Sequence, residues 1–488
     1  MALNLVRNSR VFFTTNVNTT TGVIKPAAGE GGVAFSATNT FEIQVLDGFT
    51  FSQNVNSETV TINEAGVTPV RGQRSFNTSL APVDFAFSTY IRPRDQATKI
   101  TAEESVLWNA LLSAEAISTP SSITGVTTVG VSAGGLVTIT GTAMTGTPAV
   151  GDIITLSGIA TTTPAGLTEY VNTAGTVVTS TATSITIQLF NFSTTAITAT
   201  TLVTASTVKY SKWAWNESNA DYSQATAGHS DANQLQKFGM LFLVDNVLYA
   251  VDNCALNQVT IDFGIDQIAT AQWTGQATAL RQLATGVSAG TSTFSGGTNT
   301  DVGSNGAFTS KDSNAQFITN KLSTINMRAV KAIGSSISAG DSYNIPITGG
   351  SITINNNITY ITPAILGVIN KPITYYTGTR AITGTLTAYL RTGTDKETGE
   401  LLADILSEVA TAIEPMFAVA INIGGASNTV KVVLDMPAVT IGVPAVSVEQ
   451  VISTSINFTA QGFVPNATAA NSVFDLTKPS DIAIRYYA

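Results

Sequence analysis

The sequence predicts a mainly β protein: two tandem β-sandwich or barrel domains, each with one α-helix, and a small β-sandwich inserted into the first. Three observations predict it. Only 11% of the 488 residues are charged, and Thr, Ala, Val, Ile, Ser, Gly and Asn dominate, a mixture that suits pleated, half-buried strands better than helices. Part of the chain occurs twice. Thr61-Ile62-Asn63 with Pro69 returns as Thr353-Ile354-Asn355 with Pro363, and Ser88-Thr89-Tyr90-Ile91-Arg92 returns as Thr387-Ala388-Tyr389-Leu390-Arg391, at an offset of roughly 295. Farther on, Trp273-Thr274-Gly275-Gln276 aligns with Phe458-Thr459-Ala460-Gln461 at an offset of only 185, so about 110 extra residues interrupt the first copy.

The elements follow from periodicity. Phe41, Ile43 and Val45, then Phe85, Phe87, Thr89 and Ile91, then Val259, Ile261, Phe263 and Ile265 alternate as strands with one inward face. Between the second and third runs, Thr101-Ala102-Glu103-Glu104 has the pattern of a capping box, and Leu107, Trp108, Leu111 and Leu112 follow at helical spacing. In the second copy Ile352 and Ile354 mark a strand, and so does the stretch at Tyr389. Thr394-Asp395-Lys396-Glu397 then opens a helix with Leu401, Leu402, Ile405, Leu406 and Val409 on one face, stopped by Pro415. Ile452, Thr454, Ile456 and Phe458 close the unit as a late strand.

Residues 119–207 differ: Asp152 and Glu169 are their only charges, and short runs such as 136–139 and 184–188 are separated by turns, the pattern of a small immunoglobulin-like β-sandwich. The stretch 291–312 is rich in Gly, Ser, Thr and Asn and reads as a flexible connector. The expected division is therefore 1–118 with 208–290 for the first unit, 119–207 for the inserted domain, 291–312 for the linker and 313–488 for the second unit.

Composition also excludes. No run approaches the 18 to 20 apolar residues that a membrane span needs, and Met1–Arg10 lacks the apolar block of a signal peptide, so the protein is expected to fold where it is made. Cys254 is the single cysteine and His229 the single histidine, which rules out an internal disulfide framework and leaves too few soft ligands for zinc. Cys254 reads as a buried small apolar residue. His229-Ser230-Asp231 is a polar loop, not a triad, because adjacency does not give triad geometry. No phosphate-binding Gly-x-x-x-x-Gly-Lys-Ser/Thr occurs, and Gly134-Gly135 and Gly349-Gly350 read as turns. Asp152 and Glu169 make a poor oxygen cage for calcium. Neither cofactor, metal nor enzymatic activity is expected. A net charge of −9 argues against tight nucleic-acid binding, which needs clustered Lys and Arg. Asp262 and Asp266, four apart on the expected strand, share an exposed face with Thr260.

Longer stretches carry a resemblance. Leu5-Val6-Arg7-Asn8-Ser9-Arg10-Val11-Phe12, the run from Val60 to Gly66 with Pro69, Arg71-Gly72 and Arg74, and Phe87–Ile91 in the first copy resemble the double-domain tail tube proteins of long-tailed, non-contractile bacteriophages. So do Tyr343–Gly350, Ile354–Tyr360 and Gly384–Leu390 in the second. Gly151–Gly158 with Pro164–Leu167 is similar to small surface domains of phage structural proteins. Such proteins often carry an immunoglobulin-like decoration at the C-terminus; here the sequence given ends at Tyr486-Tyr487-Ala488, so a decoration role would pass to the insert.

The resemblance implies two tube domains per chain, three chains per pseudo-sixfold ring, and stacked rings forming a conduit for the genome. It implies as partners the chain itself, a tape-measure protein, tail terminator and tail-tip proteins, and double-stranded DNA in transient passage, with no membrane insertion. It implies the virion tail as location, with assembly in the host cytoplasm. On this reading Thr260, Asp262 and Asp266 line the lumen. The stretch Asn63–Ser79, long for a connection and containing Pro69, Arg71 and Arg74, reaches a neighbouring ring or protomer. The competing readings are a β-sandwich surface adhesin and the inner tube of a contractile tail.

Overall fold

The computed structural model describes residues 9–18, 20–24, 35, 39–46, 48–61, 73–96, 99–112, 121–131, 136–148, 153–157, 174–189, 197–212, 215–216, 235–245, 247–285, 316–329, 333–338, 341–393, 396–408, 416–425, 430–448, 451–461 and 481–487. One antiparallel ladder runs through both units. It begins with the hairpin Thr50–Thr61 and Gln73–Tyr90, continues through Thr270–Ala277 and the second half of Val247–Asp262, and crosses into the second unit at Ile347–Asn355. From there it passes through Ala381–Tyr389 and Ser453–Ala460 to Lys431–Ile441 and Ala445–Ser447.

A second layer lies on the apolar side. In the first unit it is Arg10–Thr14, Phe238–Val244, the first half of Val247–Asp262, and Ala279–Thr285. In the second it is Thr324–Ala329, Met416–Ile423, Lys431–Ile441 and Ala483–Tyr487. Pairing for pairing, the two units have the same topology. Their shared core is continuous: Phe85, Phe87, Trp108 and Trp273 belong to the same apolar cluster as Ile352, Leu386, Phe417 and Ile456, each large side chain contributing about 1.5–3 kcal/mol by leaving water.

The ladder corrects one alignment made from sequence. Tyr90 pairs with Thr270 and Tyr389 pairs with Ser453, so the equivalent of Trp273 is Ile456 and not Phe458, a slip of two residues. The reason is an exchange of an aromatic with a glycine. In the first unit Phe85 lies opposite Gly275, and in the second Gly384 lies opposite Phe458. A Cβ on either glycine would collide with the ring facing it.

The helices are Ser105–Leu111 and Thr398–Glu408. The expected capping box does not form. Thr101-Ala102 belongs to the short strand Lys99–Ala102, the N-cap is Glu104 without a side-chain cap, and its carboxylate is taken by Trp108 and Tyr486. Thr398 and Leu401, with Ile405, face the core of the second helix, but Leu406 is exposed. Thr394, Asp395, Val409 and Pro415 lie outside the described residues.

The interruption in the first copy is a small β domain with its own core of Ile139, Ile185, Ile187, Val177 and Val208, among others. Its described strands run from Ser121–Val131 to Ile197–Lys212 and close into one six-stranded barrel, where a two-sheet immunoglobulin-like sandwich was expected. Closure leaves no free edge on either side.

Further expectations need correction. Val247–Asp262 stops at Asp262; Phe263 follows it outside the strand and Ile265-Asp266 form a turn. Gln73–Ser79 is not loop but part of an 18-residue strand paired with Thr50–Thr61. Gly349 and Gly350 sit inside Ile347–Asn355, at a bulge, not at a turn; a Cβ on Gly350 would lie 2.8 Å from the Phe263 ring. Cys254 is buried, as expected. The linker 291–312, His229-Ser230-Asp231, Asp152, Glu169, Gly134-Gly135, Leu5–Asn8, Pro69 and Arg71 lie outside the described residues.

Candidate functional site: the assembly surfaces

Alternation along the shared ladder sends apolar side chains to the core and a second set to the opposite face. That face carries Ser52, Asp84, Ser88, Gln272, Thr274, Gln276, Gln258, Thr260 and Asp262 in the first unit. In the second it carries Ser351, Thr353, Thr383, Thr385, Asn457 and Thr459, which line a shallow groove. Away from the outer part of the hairpin, where exposed Glu58 and Arg74 lie, the charged side chains among the described residues of this face are Asp84 and Asp262. Hydroxyls and amides bond across strands, Thr260 to Thr353 at 3.1 Å, Thr385 to Asn457 at 2.9 Å and Gln276 to Asp84 at 3.0 Å. These side chains are thus tied to the wall. Partial burial pushes the Asp262 carboxyl up from its ordinary value.

Thr260 and Asp262, two residues apart, share this face, but Asp266 does not continue it. Asp266 sits in the turn beyond the strand, exposed, with Lys321 Nζ 3.3 Å from its carboxylate. Arg74 is exposed on the hairpin arm, opposite Val60.

The joint between the units is the second surface. Residues 258–262 pair with 351–355, from Gln258 with Asn355 to Asp262 with Ser351. Asn356 then donates to Leu111 O at 2.9 Å and Leu256 O at 3.3 Å, Tyr360 OH to Asn253 O at 2.7 Å, and Tyr375 OH to Leu235 O at 3.0 Å. On the far side Tyr486 of the second unit donates to Glu104, and Trp108 Nε1 donates to the Tyr486 hydroxyl at 2.8 Å. Each unit also carries a diagonal ion pair, Asp252 with Arg281 and Asp435 with Arg485. In the first, Ile24 N donates to Asp252 and Arg281 donates to Ile24 O, clamping an outer segment. From sequence, Glu104 and Trp108 read only as helix residues and Asn355, Asn356 and Tyr360 only as part of a repeated or resembling stretch; the clamp residues Asp252, Arg281, Asp435 and Arg485 were not singled out. The two ion pairs sit two residues apart in register, so they leave no repeat in the sequence to find.

Among the described residues the joint has two counterparts without a second strand. Topological equivalence matches Thr260 with Ala445, Ile261 with Val446, Asp262 with Ser447, and Phe51 with Ile352. Inside the chain Ile261 is 1% and Ile352 0% exposed, whereas Val446 is 43% exposed. Among the described residues Ala445–Ser447 has a ladder partner on one side only, as does Thr50–Thr61.

Exposed large apolar side chains gather at the two ends of the strands. At the hairpin end are Val55, Val60, Phe76, Ile365, Leu366 and Ile369; at the other are Ile265, Phe317, Leu322, Val448 and Val451. The arm bearing Leu366 is tied to the first hairpin through Asn370, whose backbone pairs with Thr78 and Leu80. Apolar patches of this extent mark interaction surfaces.

A family model described as phage tail tube protein matches residues 189–460. The chain is 26% identical over 466 residues to tail tube protein pb6 of Escherichia phage T5, an alignment that covers 94% of this chain and 73% of that protein.

Proposed function

The chain belongs to the phage tail tube protein family, and from that premise we propose that it builds the tube as rings of three copies. It is a structural component of the virion tail that assembles with itself. Each copy supplies two consecutive staves, and the joint seen inside the chain is repeated between chains. The observation that carries this reading is the pair of edges, Thr50–Thr61 and Ala445–Ser447, that no described strand covers at the two ends of one ladder. A head-to-tail contact of this kind either closes a ring or runs on as a filament, and pairing both edges removes the hazard of a free strand. Three chains give a barrel of about 24 strands, wide enough for an aqueous channel.

The polar face, with Thr260 and Asp262, then lines the lumen. Duplex DNA carries a phosphate charge per about 1.7 Å of axis, so a wall of hydroxyls, amides and a few carboxylates passes it without holding it. Asp266, with Lys321, stands at the rim. The apolar strand ends meet between stacked rings, and the hairpin arms, with Arg74 and the tip containing Pro69 and Arg71, reach the next ring. The inserted barrel leaves after Leu112 and its return strand Trp215–Asn216 pairs with Ala483–Tyr487 in the outer layer. That placement supports an outward stud on alternate staves and argues against a tight contractile sheath. Assembly in the host cytoplasm around a tape-measure protein, ending at terminator and tip proteins, completes the proposal, with no enzymatic role.

A cross-link tests ring closure. Ser52→Cys with Ala445→Cys should give covalent trimers on oxidation of assembled tubes, and each single variant should not. Absence of the trimer from well-formed tubes would sink the reading. Arg71→Glu with Arg74→Glu should leave the protomer folded and block stacking; normal tubes from that variant would remove the arm from the contact.

A further inference from the structure

The ring-closing edge lacks one backbone donor that its internal counterpart has. Phe263 N donates to Gly350 O at 3.1 Å, and the two-residue period of a strand therefore turns the N–H groups of Ile261 and Val259 toward 350–355 as well. Val259, paired with Ile354, stands in the middle of the five-residue internal joint. Its equivalent on the free edge, one residue before Ala445, is Pro444. Pro444 is buried like Val259, so it packs on the core in the same sense, but it has no N–H to donate. Around it the ladder is irregular: between Ile441 and Ala445 the register with Ser453–Ala460 is interrupted, and Gly442 N still donates to Asn457 O at 3.1 Å. Proline within a sheet is confined to edges and bulges, where it blunts pairing with other chains.

We infer that Pro444 is an edge guard, which makes the joint between chains weaker than the joint within one and keeps isolated copies from closing rings. The partner it restrains is the Thr50–Thr61 strand of a second copy. Assembly then waits for contacts that one ring alone does not supply, the apolar strand ends meeting a ring already in place. An exposed strand edge without such a guard would pair in solution.

The inference rests on the ring-closing reading, and the two fail separately. Pro444→Val installs the residue found at position 259, and Pro444→Ala restores the N–H with a smaller side chain. Sedimentation velocity of the purified chain over a concentration series reads the onset of association. A net backbone hydrogen bond corresponds to about a fivefold change in equilibrium constant, so each variant should associate at concentrations about fivefold lower than the unsubstituted chain. An unchanged onset in both variants overturns the guard, and so does loss of folding in both, read by circular dichroism, because a residue required for the fold is not a guard. Where one variant folds, its onset decides. A Ser52→Cys, Ala445→Cys cross-link alongside an unchanged onset leaves ring closure standing and sinks only the role of Pro444.

Discussion

Glu104 is fully buried, with its carboxylate shared between Trp108 Nε1 and the Tyr486 hydroxyl and, more loosely, Arg92 N at 3.4 Å. Burial pushes its carboxyl up from 4.5 to about 7, and the hydrogen bonds from Tyr486 and Trp108 offset only part of that rise. A folded-state value above the unfolded one means the folded chain holds a proton that the unfolded chain releases. Its contribution is therefore complete below about 4.5 and is lost as pH rises through about 7. At about 1.4 kcal/mol per unit, some 3 kcal/mol of folding stability is at stake. Chemical denaturation at pH 5, 7 and 9 should show the native chain losing stability across that range and Glu104→Gln losing much less. Equal slopes for the two would show that Glu104 is ionised throughout. Sequence periodicity marked Leu107 and Trp108 as core but read Glu104 as a capping residue, because the group that claims it lies 382 residues away in the chain.

Among elements, strand positions were legible wherever one face is buried: Phe85, Phe87, Val259, Ile261, Ile352 and Ile354 all point inward. Ends and registers were less so. Asp262 to Ile265 continues the alternation in sequence, yet the strand stops because Gly264 and the turn at Ile265 lead across to Gln267, fixed by Asn320 donating to Gly264 O. The hairpin arm was illegible for the opposite reason. Gln73–Thr78 is exposed on both sides, so neither face demands an apolar residue. The exchange of Phe85 over Gly275 for Phe458 over Gly384 offers a direct test of the corrected register. Gly384→Ala should cost about 1–3 kcal/mol by overpacking against a ring with no room to turn. Adding Phe458→Leu should recover much of it in a double-mutant cycle. Additive losses would mean that the two positions do not face each other.

At the scale of the whole molecule, duplication was legible because Tyr90-Ile91-Arg92 and Tyr389-Leu390-Arg391 kept the tyrosine and the arginine, while the matching registers of Phe238–Val244 on Val247–Asp262 and of Met416–Ile423 on Lys431–Ile441 show that the outer layer duplicated as well. The polar face was legible only at Thr260 and Asp262, since a face becomes continuous only when strands distant in sequence are laid side by side. Its charge is unevenly divided. Asp84 and Asp262 both belong to the first unit, and the second unit contributes hydroxyls and amides. In a ring of three, carboxylate-bearing sectors would alternate with neutral ones, so the lumen would repel phosphate along three stripes, and the neutral sectors would be where DNA passes nearest the wall. Thr383→Lys with Thr385→Lys adds cations there without touching the core, repeated three times per ring. Neutralising phosphates makes retention fall steeply with salt, with a slope near the number of contacts. Tubes of this variant should form normally, and DNA release from particles carrying them should slow at low salt and recover at high salt. Release as fast as with the unsubstituted chain at every salt concentration would place this face away from the genome.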